Sequence, residues 1–96
     1  MPQLEKDKKA ELVKEGLKLL LKKIEEELLE IDIQLNNMCK KYGVHSIEEL
    51  EELFKSNNID YPELDLAWVE YRYLIDRKKK LLEKRDEIQE QLNKLR

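Results

Sequence analysis

The stretch LKLLLKKIEEELLEIDIQLNNMCKKYG, residues 17–43, decides the fold. Its apolar residues return at alternating steps of four and three: Leu17, Leu21, Ile24, Leu28, Ile31, Leu35, Met38 and Tyr42. An α-helix places such a series on one stripe, and the sustained heptad spacing marks that stripe as a coiled-coil-like seam. Ala10, Val13 and Leu20 extend the seam toward the N-terminus with a shift of phase near the helix-weakening Gly16. Gly43 reads as the stop, because glycine adopts the left-handed cap conformation most easily, and Val44 would then pack back on Cys39. The first helix is expected over residues 3–42, roughly 60 Å long at about 1.5 Å per residue.

Two more starts follow. Ser46 and Glu49 have the spacing of a capping box, ahead of Leu50, Leu53 and Phe54 on one face, which predicts a short helix over residues 47–56. Asn57 and Asn58 end it. Asp60 and Glu63 then bracket Tyr61 and Pro62, with Ile59 and Leu64 placed as a hydrophobic staple; alternatively Tyr61, preceding proline, is itself the cap. A third helix is expected over residues 62–94, with Leu74, Leu81, Ile88 and Leu95 seven residues apart and Tyr71, Lys78, Arg85 and Leu92 between them. Trp68, Ile75 and Leu82 widen that seam. Lys78 and Arg85 occupy seam positions where their stems would cover apolar surface and their charges reach water.

Folding the first helix back on the third puts facing residue numbers at a sum of roughly 104, with Glu25, Glu26 and Glu27 opposite Arg77, Lys78, Lys79 and Lys80. The expected fold class is therefore all-α. A single domain spans residues 1–96, an antiparallel two-helix hairpin whose turn end is capped by a short third helix, assembling into a helical bundle. The composition agrees: 96 residues, 43% charged, with only 2 Gly and 2 Pro.

The same numbers narrow the function. Lys and Arg number 19 against 22 Asp and Glu, a net charge of −3, which argues against a general attraction to nucleic acid. The basic run Arg77–Lys80 lies between Asp76 and Glu83 and is accompanied by no helix-turn-helix, zinc-finger or RNA-recognition pattern. With no apolar run near membrane-spanning length and no hydrophobic signal core, the expectation is a cytoplasmic protein that does not engage a membrane. One cysteine excludes an internal disulfide. The charge density and short connections suggest a thermophilic source.

Few residues are placed for chemistry. His45, the only histidine, sits in a turn beside Ser46, and Cys39 reads as a small buried thiol lacking the companions a metal site needs. Glu48, Glu49, Glu51 and Glu52 read as the solvated face of the short helix, and no Gly-rich phosphate loop is present. Neither a cofactor, a metal nor a small-molecule substrate is expected. The all-helical chorismate mutases share a long, a short and a third helix at this length. However, their dianion site needs several converging Arg and Lys, whereas here no Arg precedes Arg72 and only Lys78 and Arg85 are basic residues on a seam.

What remains is surface. Leu12, Leu19 and Ile33 lie on the back of the first helix relative to its seam, and Leu29 lies to one side with Trp68, Ile75 and Leu82. Val69 and Tyr73 point away from the third helix's seam. Burying one large aliphatic side chain is worth roughly 1.5–3 kcal/mol, so a rod leaving several exposed invites association. Leu12, Leu19, Leu29, Ile33, Val69 and Tyr73 are accordingly the candidate partner-binding residues. All six aromatic residues fall between Tyr42 and Tyr73, and residues 43–61 carry one Lys against four Glu and one Asp, so the turn end is an aromatic, acidic head. Phe54 and Trp68 are expected to form a small core beneath the short helix.

The head also carries a resemblance. Lys41-Tyr42-Gly43-Val44, then Ser46-Ile47-Glu48-Glu49-Leu50, then Asp60-Tyr61 and Trp68, resembles a pattern in small archaeal and bacterial helical proteins, many of them antitoxin-like halves of toxin–antitoxin pairs. The likeness covers residues 40–75. Ala67 stands where the pattern has an acidic residue, Pro62 is added, and the first helix is longer. The resemblance implies a non-enzymatic protein that binds and masks a small toxin. A homodimeric coiled-coil scaffold is the alternative from a different class, and a small helical enzyme of chorismate-mutase type is a third.

Overall fold

The computed structural model describes the backbone of residues 2–56 and 62–95 and the side chains of residues 8–56 and 66–95. It contains three helices, α1 (Pro2–Tyr42), α2 (Ile47–Ser56) and α3 (Pro62–Lys94), and no strand among the described residues. The molecule is a rod with extents of 70 × 20 × 17 Å. All three helices start and stop within a residue of the boundaries read from the sequence. The Asp60–Glu63 cap and the Ile59–Leu64 staple lie outside the described residues.

The punctuation between α1 and α2 is local chemistry. Gly43 has φ +68°, the left-handed conformation that lets the chain turn off the helix axis. The Val44 N–H then donates to the Cys39 carbonyl at 2.9 Å, and the Gly43 N–H donates to the Lys40 carbonyl at 3.3 Å. That pair of bonds is the Schellman ending, and it satisfies two carbonyls the helix end leaves free. Three residues on, the Glu49 N–H donates to Ser46 Oγ at 3.1 Å, while Glu49 Oε2 accepts from the His45 N–H at 2.8 Å. The carboxylate thus reaches one residue further back than in an ideal capping box, and both free donors are met.

The core follows the seams. Ile24, Leu28, Ile31, Leu35 and Met38 of α1 are buried with Tyr71, Leu74, Leu81 and Ile88 of α3, and Leu50 of α2 joins them. Leu35 and Leu50 are fully buried. α1 and α3 pack against each other along their seams. Met38 and Tyr42 share a recess with Leu66 and Ala67, whereas Leu20 and Ile24 share one with Leu81 and Ile88. Trp68, Ile75 and Leu82, read as lying to one side, pack half-buried against the core.

Three expectations are corrected. Ala10, Val13 and Leu20 do not extend the buried seam; all three are exposed, Val13 at 53% and Leu20 at 49%. Leu20 still borders a recess shared with Leu81 and Ile88 of α3, but α3 does not cover it, so the buried stripe fades above the half-buried Leu17. Leu95 keeps the heptad spacing but is exposed, because it lies past the last residue of α3. Lys78 does not send its charge to water: Nζ lies 2.8 Å from Asp32 Oδ1 on α1.

Candidate protein-interaction faces

At the end where α2 sits, Phe54 is the hub of an aromatic cluster drawn from all three helices. Its ring centroid lies 5.8 Å from Tyr42 of α1, 5.7 Å from Trp68 and 5.6 Å from Tyr71 of α3. The edge and tilted contacts suit the ring quadrupoles, and each such pair adds about 0.5–1.5 kcal/mol beyond area burial. The Arg72 guanidinium sits 5.7 Å above Trp68 on the outside. These rings hold α2 against the other helices, as expected for Phe54 and Trp68. Tyr73 takes no part and is 66% exposed.

Two groups here, Cys39 and Tyr71, are shifted toward their neutral forms by their placement. Burial pushes the Cys39 thiol up, and the nearby Glu49 and Glu48 carboxylates push it further the same way. Burial likewise raises the Tyr71 phenol, helped by Glu51 and Glu48 and opposed by Arg72. A thiol held protonated in this way is a poor nucleophile. His45 is exposed, and its contact with Glu49 is made by the backbone. Among the described residues no group of three or more His, Cys, Asp or Glu is arranged to hold a metal ion. No helix among them is long and apolar enough to cross a membrane.

Midway along the rod two cross-helix ion pairs fix the register. Arg77 Nε donates to Glu27 Oε1 at 2.8 Å and Nη2 donates to Oε2 at 3.2 Å, a bidentate fork that raises the guanidinium pKa further, through the hydrogen bond first and the charge second. Lys78 bonds Asp32. The expected facing of acidic α1 against basic α3 is met by Glu27, while Glu25 and Glu26 point to solvent. Lys78 and Arg85 each engage an acidic neighbour, Arg85 lying 4.0 Å from Asp86.

Apolar side chains also stand open among the charged surface. All six candidate residues are exposed: Leu12, Leu19, Leu29 and Ile33 on α1, and Val69 and Tyr73 on α3. They form two separate sets. The first lies on the back of α1, away from α3. The second lies along one side of α3, and Leu66, at 73% exposure the barest large apolar side chain described, belongs with it. Leu66 precedes Val69 by three residues and Tyr73 by seven, a spacing that could have revealed it.

Two recesses lie between α1 and α3, the first of them bordered by Leu66 of that second set. One, of about 350 Å³, is bordered by Met38, Tyr42, Leu66 and Ala67, with Lys41 and Glu70 at its edge. The other, of about 390 Å³, has Leu20, Ile24, Leu81 and Ile88 as its floor and Lys23, Arg77, Lys80 and Lys84 around it, with Glu27 the acid among them. Comparison with protein-family models, with curated proteins and with solved structures finds no match to this chain.

Proposed function

We propose that this chain is a non-enzymatic protein–protein interaction module of the cytoplasm, antitoxin-like in kind. In this reading α1 and α3 form an antiparallel hairpin whose turn end is capped by α2. The bidentate Arg77–Glu27 pair and the Phe54 cluster support that arrangement. The observation that carries the function is the exposure of Leu12, Leu19, Leu29 and Ile33 on one face and Val69 and Tyr73 on another. Each stays bare although its burial would release about 1.5–3 kcal/mol. The Lys-Tyr-Gly-Val and Ser-Ile-Glu-Glu-Leu segments support the antitoxin-like part, in which the partner is a small toxin covered by helix faces.

The test replaces Leu19 and Ile33 by Gln in one variant and Val69 and Tyr73 by Gln in another. Self-association, or capture of a toxin encoded beside the gene, should be lost in at least one variant while helical circular dichroism is kept. Unchanged association in both variants would sink the reading. A homodimeric scaffold is the second reading, favoured by the apolar pattern on the back of α1, which continues at heptad spacing.

A further inference from the structure

The outer face of α1 carries a second heptad, distinct from the seam that meets α3. Leu12, Leu19, Glu26 and Ile33 are seven residues apart, and Glu15, Lys22, Leu29 and Asn36 follow each of them by three. All eight are exposed. These are the two interface positions of a coiled-coil repeat, and no element among the described residues covers them.

Charge along this face is segregated. Between residues 14 and 23 stand Lys14, Lys18, Lys22 and Lys23 against Glu15 alone, whereas residues 24–35 hold Glu25, Glu26, Glu27, Glu30 and Asp32 with no cation. Glu27 and Asp32 are engaged by Arg77 and Lys78 of α3, which leaves Glu25, Glu26 and Glu30 facing out. A segment basic over residues 14–23 and acidic over residues 24–35 is complementary to itself when turned end for end. Aligned parallel it repels itself, since Lys22 would meet Lys22 and Glu26 would meet Glu26.

We infer that this face pairs with the same face of a second copy of the chain, α1 against α1, antiparallel. The inference rests on the interaction-module reading and names the occupant of one of its two faces. In antiparallel coiled coils each position of the first kind faces one of the second. A single register satisfies all four layers: Leu19 against Leu29 of the second copy, Lys22 against its Glu26, Leu12 against its Asn36, and Ile33 against its Glu15. The two-fold axis makes every contact occur twice. Lys18 also comes beside the acidic half of the other copy. The cost is the approach of Lys23 and Glu25 to their own equivalents at the rims, where solvent screens them. With only two apolar layers, the dimer is weak and concentration-dependent.

Sedimentation equilibrium of the full chain tests this with Lys22→Glu, Glu26→Lys, the combined Lys22→Glu/Glu26→Lys, and Leu19→Gln/Ile33→Gln, each checked for helical circular dichroism. Either single reversal should weaken dimerisation at least about tenfold, and the combined exchange should restore it to within about threefold of the original. A chain that is monomeric at every concentration overturns the inference. So does a combined variant no tighter than the single ones. If in that case the Gln variant still loses the dimer, the face is right and the register wrong. If the chain is monomeric, the interaction-module reading is tried separately on Val69 and Tyr73.

Discussion

The two ends of the rod use the same kind of helix and reach different states of burial. At the end where α2 sits, Leu35, Met38, Cys39 and Leu50 are buried and three aromatic rings pack around Phe54. At the other, Leu17, Leu21 and Leu92 are only half-buried, while Leu12, Val13, Leu19, Leu20 and Leu95 are exposed. A two-helix arrangement covers one stripe on each helix. A third element is what closes the core, and where α2 is absent the seam leucines themselves are only partly covered. Burial is thereby concentrated where α2 packs, while bare apolar side chains remain on the outer sides of both long helices.

The strongest way to break this comparison is to cut the same group from both ends. Leu50→Ala should cost about 3 kcal/mol, the ordinary range for a fully buried leucine, whereas the half-buried Leu21→Ala should cost about 1 kcal/mol, both read from urea unfolding. Equal losses would mean that the two ends are packed alike.

A sharper contrast uses two glycines. Neither meets another atom where a Cβ would be added, so only the backbone decides. Gly43→Ala should destabilise by about 1 kcal/mol, because alanine resists φ +68°. Gly16→Ala should stabilise by about 0.5–1 kcal/mol, since its helical conformation suits alanine better. The same substitution thus has opposite signs at the two ends, measurable as opposite shifts in Tm. Ser46→Ala removes the oxygen that accepts from the Glu49 N–H and should cost about 1 kcal/mol.

The smallest effect concerns pH. Cys39 and Tyr71 both have raised pKa values in the folded chain, so the unfolded chain loses these protons first as pH rises. Their contribution is full below the ordinary thiol pKa of about 8.5 and declines as pH climbs above it toward the raised values. Unfolding followed between neutral and alkaline pH should therefore show stability falling, and Cys39→Ala should remove the earlier part of that fall. A stability that rises with pH in this window would contradict the burial of both groups.

Much of the architecture was legible because its causes are local. A heptad, a glycine at a helix stop and a Ser-x-x-Glu box act through neighbours in sequence, and the helix boundaries followed from them. The Arg77–Glu27 pairing was legible for a related reason, since a short connection limits the register. What escaped the sequence depended on whether a partner reached a given height on the rod. Val13, Leu20 and Leu95 carry the right residue type, but periodicity tells which face a residue occupies, not whether another helix covers it there. Lys78 shows the same limit: its seam position was evident, but not that Asp32, one turn beyond the expected acids, would take its charge. Leu66 has the spacing to join Val69 and Tyr73, but that spacing alone does not tell that no other helix covers it.

The central claim is that the bare leucines of α1 are an interaction surface rather than scattered exposure. The most direct measurement is the absolute mass of the purified chain by light scattering across about a hundredfold range of concentration. The account predicts a mass that rises from the 11.6 kDa of one chain toward twice that value, and a Leu19→Gln/Ile33→Gln variant that stays at 11.6 kDa. A mass of 11.6 kDa at every concentration, or a dimer indifferent to those two substitutions, would contradict it.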